Sequence, residues 1–483
     1  MFIGIDLGTS GVKVIVLDRK GEILDSVTKP LAISRPQPLW SEQCPLEWWE
    51  ATCGAMDELA ENLDLSSVES IGLSGQMHGA VTLDNNGDVI RPAILWNDGR
   101  CFEECHLLET LVPDSRTITG NIMMPGFTAP KIKWIETHEP DNHLLIDKVL
   151  LPKDYLRYRL CGEFASDMSD SAGTMWLDVE SREWNEELLK ATGLGIQNMP
   201  KLYEGNEITG FLHQQLASKW RMRQVSIVAG GGDNAAGAIG VGVTKPGEAM
   251  LSLGTSGVYF AVSDGMVANT ESALHSFCHA LPNTWHGMSV ILSAASCLDW
   301  VAKLTGKKDV AELLKDVEAN SNPLSEVIFL PYLSGERTPH NDPNAKGVFW
   351  GMTHDTKSAD LGLAVLQGVG FALADGFEAM HKTGLAPKEV NVIGGGAKSR
   401  FWRQMLADIT GMRLVFRAGG DVGPALGAAR LARLAVDSDL SIDQICTKPD
   451  VVESHEPCTS HSKLYQQRHV KFKALYQQLK SIM

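Results

Sequence analysis

The tetrapeptide Gly-Thr-Ser-Gly occurs twice in this chain, at residues 8–11 and 254–257, each time after a Leu (Leu7, Leu253) and between two strand-like runs. The two copies lie about half the chain length apart, so each half opens with the same hairpin. Gly8 and Gly254 permit a tight turn, and Thr9, Ser10 and Thr255 add hydroxyls to exposed backbone N–H groups. Such a turn is an anion cradle, and two of them across a cleft would grip a polyphosphate from both sides. Ordinary hairpins use the same residue types; the matched repetition favours phosphate binding. Asp6 precedes the first loop by two residues, where the second copy has Ser252. A carboxylate beside phosphates repels them unless a divalent cation lies between, so Asp6 reads as a Mg²⁺ partner acting through water. A solvated strand-end Asp is the plainer alternative.

Asp233 follows the glycines 230–232 where a strand over 225–229 hands over to an Ala/Gly-rich helix. Phosphoryl transfer needs a positioned base for the proton of the attacking hydroxyl, and such a base contributes about 10²–10⁴-fold. A helix cap is the bland role for Asp233, but it leaves the glycines and the two loops without a purpose. Gly394, Gly395 and Gly396, followed by Ala397, end another strand, and a run without side chains lets adenine or ribose lie against the backbone. A tight turn explains that run equally well. In Gly75-Gln76-Met77-His78-Gly79, Gln76 and His78 offer planar donors and acceptors for sugar hydroxyls, and Met77 offers an apolar floor. A buried, satisfied His78 is the competing reading. Trp96 beside Asn97, Asp98 and Arg100 is a mixture common in sugar pockets, or else a surface turn with an ion pair of little worth. Gly419, Gly420 and Asp421, ahead of Gly423-Pro424, read as hinge packing with Asp421 as a cap. No G-x-x-x-x-G-K-[ST] element occurs, and no G-x-G-x-x-G follows the first strand, which counts against a P-loop kinase and a dinucleotide dehydrogenase.

These groups need a scaffold. A chain of 483 residues exceeds one core and suits two large domains with a ligand cleft between them. Residues 244–247, Thr-Lys-Pro-Gly, give the boundary, dividing the chain into 1–243 and 244–483. A helix is expected over 45–63 and a buried strand over 68–73, followed by alternating strands and helices, the pattern of α/β layers. Residues 97–220 read as an irregular elaboration that shapes a pocket. The second half carries helices over 293–304 and 359–381, a strand over 389–393 and a helix from 399. Leu464, Tyr465, Phe472, Leu475, Tyr476, Leu479 and Ile482 fall at helical spacing and read as packing.

A net charge of −16 argues against nucleic acid or an anionic membrane as partner. Nine scattered cysteines suit reduced thiols in a cytoplasm. Cys101, Cys105 and His106 are better read as one half-buried helix than as a zinc site. No signal peptide is expected from the N-terminal segment, and no membrane span of ~18 uninterrupted apolar residues is apparent.

Taken together, the segments resemble the FGGY carbohydrate kinases of the actin/hexokinase/Hsp70-like (ASKHA) superfamily. The resemblance covers nearly the whole chain. One signature stands at residues 126–131 (GFTAPK); a second runs from 347–352 (GVFWGM) through Asp360-Leu361 to 364–367 (AVLQ). Residues 75–79 (GQMHG), 95–100 (LWNDGR), 150–170 and 330–340 (LPYLSGERTPH) place it nearer the family's ketose kinases, while Gln76-Met77-His78 departs from the Gln-Arg-Glu of glycerol kinases. The resemblance implies an α/β fold of two actin-like (ribonuclease H-like) domains closing over ATP and Mg²⁺, with exclusion of water. It implies transfer of phosphate from ATP to the 5-hydroxyl of D-xylulose, with ribulose or gluconate as alternative substrates. A sensor that binds both ligands without turnover is the alternative from another class; Asp233 favours the enzyme. By position, Asp233 would be the base, Met77, His78, Asp233 and Asn234 would hold the sugar, and Arg116 would face it too. Gly8, Thr9, Ser10, Gly254 and Thr255 would hold the phosphates, Gly395, Gly396 and Ala397 the adenosine, and Asp6 the metal. The resemblance also suggests a homodimer.

Overall fold

The first Gly-Thr-Ser-Gly segment turns the corner between strands Phe2–Leu7 and Gly11–Leu17, and the second does the same between Ala249–Leu253 and Gly257–Ser263. Each hairpin lies inside a seven-stranded mixed sheet. The structure is a computed structural model describing residues 1–322, 325–418 and 423–483. Gly419, Gly420 and Asp421 therefore lie outside the described residues.

The first sheet runs Ile208–Phe211, Ser226–Val228, Ser70–Gly75, Phe2–Leu7, Gly11–Leu17, Ile23–Pro30, with Gly231–Gly232 also pairing against Ser70–Gly75. The second runs His275–Cys278, Trp285–Ile291, Gly257–Ser263, Ala249–Leu253, Glu389–Ile393, Arg413–Arg417, Val451–His455. In both, the hairpin's first strand is antiparallel to its second and parallel to a strand much later in the chain. Each half is thus an α/β unit of the same plan.

The hairpin strands are apolar on both faces because both faces are covered. Ile3, Ile5, Leu7, Val12, Val14 and Val16 pack with Trp48, Met56 and Leu59 of helix Pro45–Asn62. Phe2, Ile15 and Leu17 face the other way, against Ala425, Ala429 and Ala432 of helix Gly423–Val436. That helix follows strand Arg413–Arg417 of the second sheet in sequence yet packs on the first sheet, backbone against backbone. A Cβ on Gly4 would lie 1.9 Å from the Ala425 carbonyl oxygen, one on Gly72 1.9 Å from that of Ala428, and one on Gly427 1.7 Å from that of Ala236. Only glycine leaves room for this approach.

Expected and observed elements agree closely, with physical reasons for the shifts. The strand expected over 68–73 is Ser70–Gly75, because Asp64 accepts from the Ser66 amide and stabilises a short helical turn, Leu65–Ser67, that ends at Val68. The helix expected from 293 starts at Ser296. The second half's core is built on helix Ser358–His381, whose apolar run is long enough for a membrane span but is 94% buried within the protein. In the C-terminal helix Thr459–Leu479, Phe472 and Tyr476 are buried as expected. Leu464 is instead 45% exposed, and Ile482, beyond the helix, 78% exposed. Residues 97–220 hold short helices, among them Phe102–Leu111, Thr128–His138 and Pro152–Cys161, with two-stranded ribbons between them. Cys101 and Cys105 are buried at the first of these, and His106 is exposed, as in a half-buried helix.

Candidate active site

Sheet register brings the first group together. Asp6 pairs with Ser74, and Ser74 with Gly231, so three adjacent parallel strands end on one rung. On the next rung Gly75 pairs with Leu7 and Gly232. The chain beyond these rungs is Gly8-Thr9 on one strand, Gln76-Met77-His78 on the second and Asp233-Asn234 on the third. Strand ends in an α/β sheet are where ligands bind, and here they carry Asp6, Thr9, Gln76, His78, Asp233 and Asn234 together.

A cavity of about 260 Å³ opens there, lined from the first domain by Met77, His78, Trp96, Phe127, Asp233 and Asn234. From the second domain come Ser252, Ser256, Val258, Met288, Val290 and Arg337. Asp233 opens helix Asp233–Gly240, and its Oδ1 accepts from the Asn234 backbone N–H at 2.7 Å and side-chain Nδ2 at 2.8 Å. Burial raises its carboxyl from 3.8 to about 6 against these two hydrogen bonds. A carboxylate near that value releases its proton at neutral pH and remains basic enough to accept another.

Asp6 is raised further, to about 7, by burial and then by the charge of Asp233, with Ser74 and Lys13 opposing. Its Oδ1 is buried without a hydrogen-bond partner. A buried carboxylate oxygen left open, at the end of the strand that runs into a phosphate-type loop, fits a hard divalent cation and its water.

His78 sits at φ +68°. Its Nδ1 lies 2.8 Å from the Gly173 carbonyl oxygen, and burial lowers its pKa to about 3. The neutral ring therefore donates from Nδ1 and presents Nε2 as an acceptor. A Cβ on Gly173 would lie 2.3 Å from the ring's Cε1, so that glycine is the space the imidazole needs. The His78 carbonyl accepts from Thr128 at 3.2 Å and from Lys131 Nζ at 2.7 Å; Lys131 also donates to the Gly126 carbonyl at 2.7 Å. The signature at 126–131 thus holds the backbone of the His78 turn.

The loops are alike in detail. Gly8 N–H donates to the Gly11 carbonyl at 3.0 Å, and Gly254 N–H to that of Ser256 at 3.1 Å. Among the described residues no group accepts from the backbone N–H of Thr9, Ser10, Thr255 or Ser256. The Thr9 hydroxyl donates to Gln76 Oε1 at 2.9 Å and accepts from the Trp96 indole at 3.0 Å. Gln76 Nε2 in turn donates to Gln43 Oε1 at 3.0 Å. In the second loop, the Thr255 carbonyl accepts from Ala294 N–H at 2.9 Å and from the Ser296 hydroxyl at 2.8 Å. Gly394 ends strand Glu389–Ile393 beside Leu253, Gly395 is exposed, and Ala397 is buried with its carbonyl taken by Arg403 at 2.5 Å. Of these, Gly395 and Gly396 retain surface for a ligand, whereas the Ala397 side chain faces the core.

One sequence expectation fails, and so does one alternative reading, while Trp96 lines the cavity. Arg116 lies outside the cavity, 47% exposed, with Nη2 at 2.7 Å from Glu109. Asp98 and Arg100 form no surface turn: both side chains are buried, 2.7 Å apart, with Glu42 at 2.8 Å and the guanidinium 3.6 Å above the Trp40 ring. Burial of this kind depends on partners distant in sequence, and neighbouring residue types carry no signal of it.

Sequence reasoning also missed the frame behind Asp233. Lys153 Nζ lies 2.6 Å from Asp154, 2.7 Å from Asp167 and 3.4 Å from Asp170, all fully buried. Arg157 pairs with Asp154 at 2.6 Å and donates to the Ala229 carbonyl. The Ser169 hydroxyl donates to Asp167 at 2.5 Å and accepts from the Gly232 backbone N–H at 3.1 Å. The cluster thus holds both ends of the glycine turn that presents Asp233. Burial raises Asp170 well above the carboxylate range, with the neighbouring aspartates adding to the rise against Lys153. Burial thus favours the protonated form of Asp170 within a set of three carboxyls and two cations. The run 150–170, Lys153 and Asp154 followed later by Asp167 and Asp170, was the visible signal.

The chain belongs to the FGGY family of carbohydrate kinases: residues 1–240 match the family's N-terminal domain and residues 249–436 its C-terminal domain. It is 58% identical over 483 residues to the xylulose kinase of Escherichia coli (strain K12), covering 100% of both chains. It is 55% identical over 483 residues, again 100% of both, to that of Klebsiella pneumoniae. Among solved structures it resembles a xyloylose kinase from Brucella ovis, with a TM-score of 0.96 and 45% identity over 100% of both chains.

Proposed function

We propose that this protein transfers the terminal phosphoryl group of ATP to the 5-hydroxyl of D-xylulose. The observation that carries the reading is the single cavity in which Asp233, with a pKa near 6, shares walls with His78, Asn234 and the second loop's Ser256. The substrate follows from full-length identity of 58% to a xylulose kinase. Met77 floors the sugar site, while His78 Nε2 and Asn234 orient its hydroxyls. Asp233 accepts the proton of the attacking hydroxyl. The open amides of Thr9, Ser10 and Thr255, in the turns that Gly8 and Gly254 begin, cradle the phosphates, and Gly395 and Gly396 form the surface for adenosine, with Ala397 behind them. Asp6 would hold Mg²⁺ through water, and the ion would supply neutralisation of phosphate charge. In this reading the chain divides near Thr244 into a sugar-handling and an adenosine-handling part. A homodimer is the assembly the resemblance suggests, and light scattering on the purified protein checks it.

The test is coupled ADP release with D-xylulose, D-ribulose, L-ribulose, glycerol and gluconate, for wild type and Asp233→Ala. D-xylulose is expected to give the highest kcat/KM, and the variant to bind sugar without turnover. Another preferred substrate would overturn the pocket assignment, and turnover in Asp233→Ala would overturn the base.

A further inference from the structure

One charge in the cavity has no part in the mechanism above. Arg337 enters from the second domain, and its Nη1 lies 3.2 Å from His275 Nε2. His275 Nδ1 lies 3.3 Å from Asn121 Oδ1, and Asn121 Nδ2 donates to the carbonyls of Thr119 at 2.7 Å and Ser276 at 2.8 Å. His275 is fully buried and neutral, so its ring accepts from Arg337 and donates to Asn121. One edge of the guanidinium is fixed by this relay, and the other edge faces the cavity. Among the described residues no carboxylate forms an ion pair with Arg337. Its chain neighbour Glu336 turns Oε1 to the Leu292 amide at 3.0 Å, and burial raises that carboxyl to about 8. On the facing wall, a Cβ on Gly126 would lie 3.9 Å from Arg337 Nη2. The guanidinium therefore reaches the first domain's side of the cavity beside His78, whose pKa its charge helps to lower.

A half-buried guanidinium whose free N–H groups face a cavity offers them to an acceptor on a ligand there. A pentulose with its 5-hydroxyl at Asp233 carries its C2 carbonyl three carbon–carbon bonds away, within the cavity that Asp233 shares with His78 and Arg337. We propose that Arg337 is a specificity-determining residue that donates to the keto oxygen of an open-chain ketose. The assignment rests on the kinase reading above and extends it to the opposite end of the substrate. Because Arg337 and Asp233 belong to different domains, a ketose held by both ties the two halves together. Charge-assisted hydrogen bonds of this kind are worth about 10–100-fold in affinity.

The test compares D-xylulose with xylitol, the polyol in which the carbonyl is reduced to a hydroxyl, on full-length wild type, Arg337→Met and Arg337→Lys. Titration calorimetry gives the sugar Kd, coupled ADP release gives kcat/KM, and ATP hydrolysis without sugar reports the phosphate site. Arg337→Met is expected to weaken D-xylulose about 10–100-fold and xylitol by less than about 3-fold, collapsing the ketose preference. Arg337→Lys restores part of it, and the KM for ATP stays unchanged in both variants. Equal losses for both sugars, or unchanged D-xylulose affinity, overturn the proposal. Should Arg337→Met fail to fold, Arg337→Lys decides alone: an undiminished ketose-to-polyol ratio in that folded variant refutes the keto contact. If wild type prefers a substrate other than D-xylulose, the kinase reading fails on its own, before any variant is measured.

Discussion

Replacing Asp233 by Asn is expected to destroy turnover and stabilise the protein. The Asn oxygen can accept the same two Asn234 N–H groups, so the packing survives while the buried charge is removed. Burial raises the carboxyl from 3.8 to about 6. The folded protein therefore holds this proton more tightly than the unfolded chain. Folding is favoured below the lower value and penalised as pH rises through the higher one. At 1.36 kcal/mol per unit the penalty at pH 8 is about 3 kcal/mol, reduced to about 1–3 by water at the cavity mouth. Asp6 gains as well, because the Asp233 charge is the second cause of its own raised pKa. The assay is calorimetric melting of unliganded wild type and Asp233→Asn from pH 4 to pH 8. At about 2–4 °C per kcal/mol for a unit of 150–250 residues, the variant should melt about 2–12 °C higher at pH 8. That advantage should fade toward pH 4. A lower melting temperature at pH 8, or a difference independent of pH, would refute the view that Asp233 is held at an energetic cost for its chemistry.

Further expectations follow from the same geometry. In wild type, kcat/KM should fall as pH drops through about 6, because the base must be ionised, and a profile flat to pH 5 would contradict this. Asp170→Asn should fold and retain most activity, since burial already favours the uncharged carboxyl there, whereas Lys153→Met leaves the buried Asp167 without a cation and should lose about 3–5 kcal/mol in denaturant melts. Gly173→Ala should displace the His78 ring, raising the KM for sugar at least about tenfold with the KM for ATP unchanged, for a loss of one hydrogen bond. Gly72→Ala drives a Cβ to 1.9 Å from the Ala428 oxygen and should cost at least about 1–3 kcal/mol of stability by chemical denaturation.

The parts legible in the sequence were those set by local backbone chemistry. Hairpins, glycine turns and strand ends announce themselves within a few residues, which is why Asp6, Met77, His78 and Asp233 could be picked before their rungs were seen. The second domain's wall of the cavity was not legible, because Val258, Met288 and Val290 are ordinary strand residues until a sheet from the other half faces them. The ionic cluster around Lys153 was hidden for a related reason. An Asp-rich run looks like a solvated surface, and only full burial of Lys153 and Arg157 beside it reverses that reading. Arg116 shows the converse: a position suggested by resemblance alone, with no local motif to fix it, lies in solvent on Glu109.

The helix Gly423–Val436 has a consequence for the order in which this protein comes into being. Synthesis delivers the chain from its N-terminus, so Phe2, Ile15 and Leu17 leave the ribosome some four hundred residues before the alanines that cover them. Throughout that interval the face of the first sheet that carries Phe2, Ile15 and Leu17 lacks its alanine cover. A fragment ending anywhere before Gly423 would keep that bare strip permanently, exposing to the cell an apolar surface shaped for a helix. A chain that reaches the end of this helix is thus the shortest that covers the first sheet, although its first half carries the proposed base. Loss of the final segment would be read by chaperones and proteases as failure of the beginning.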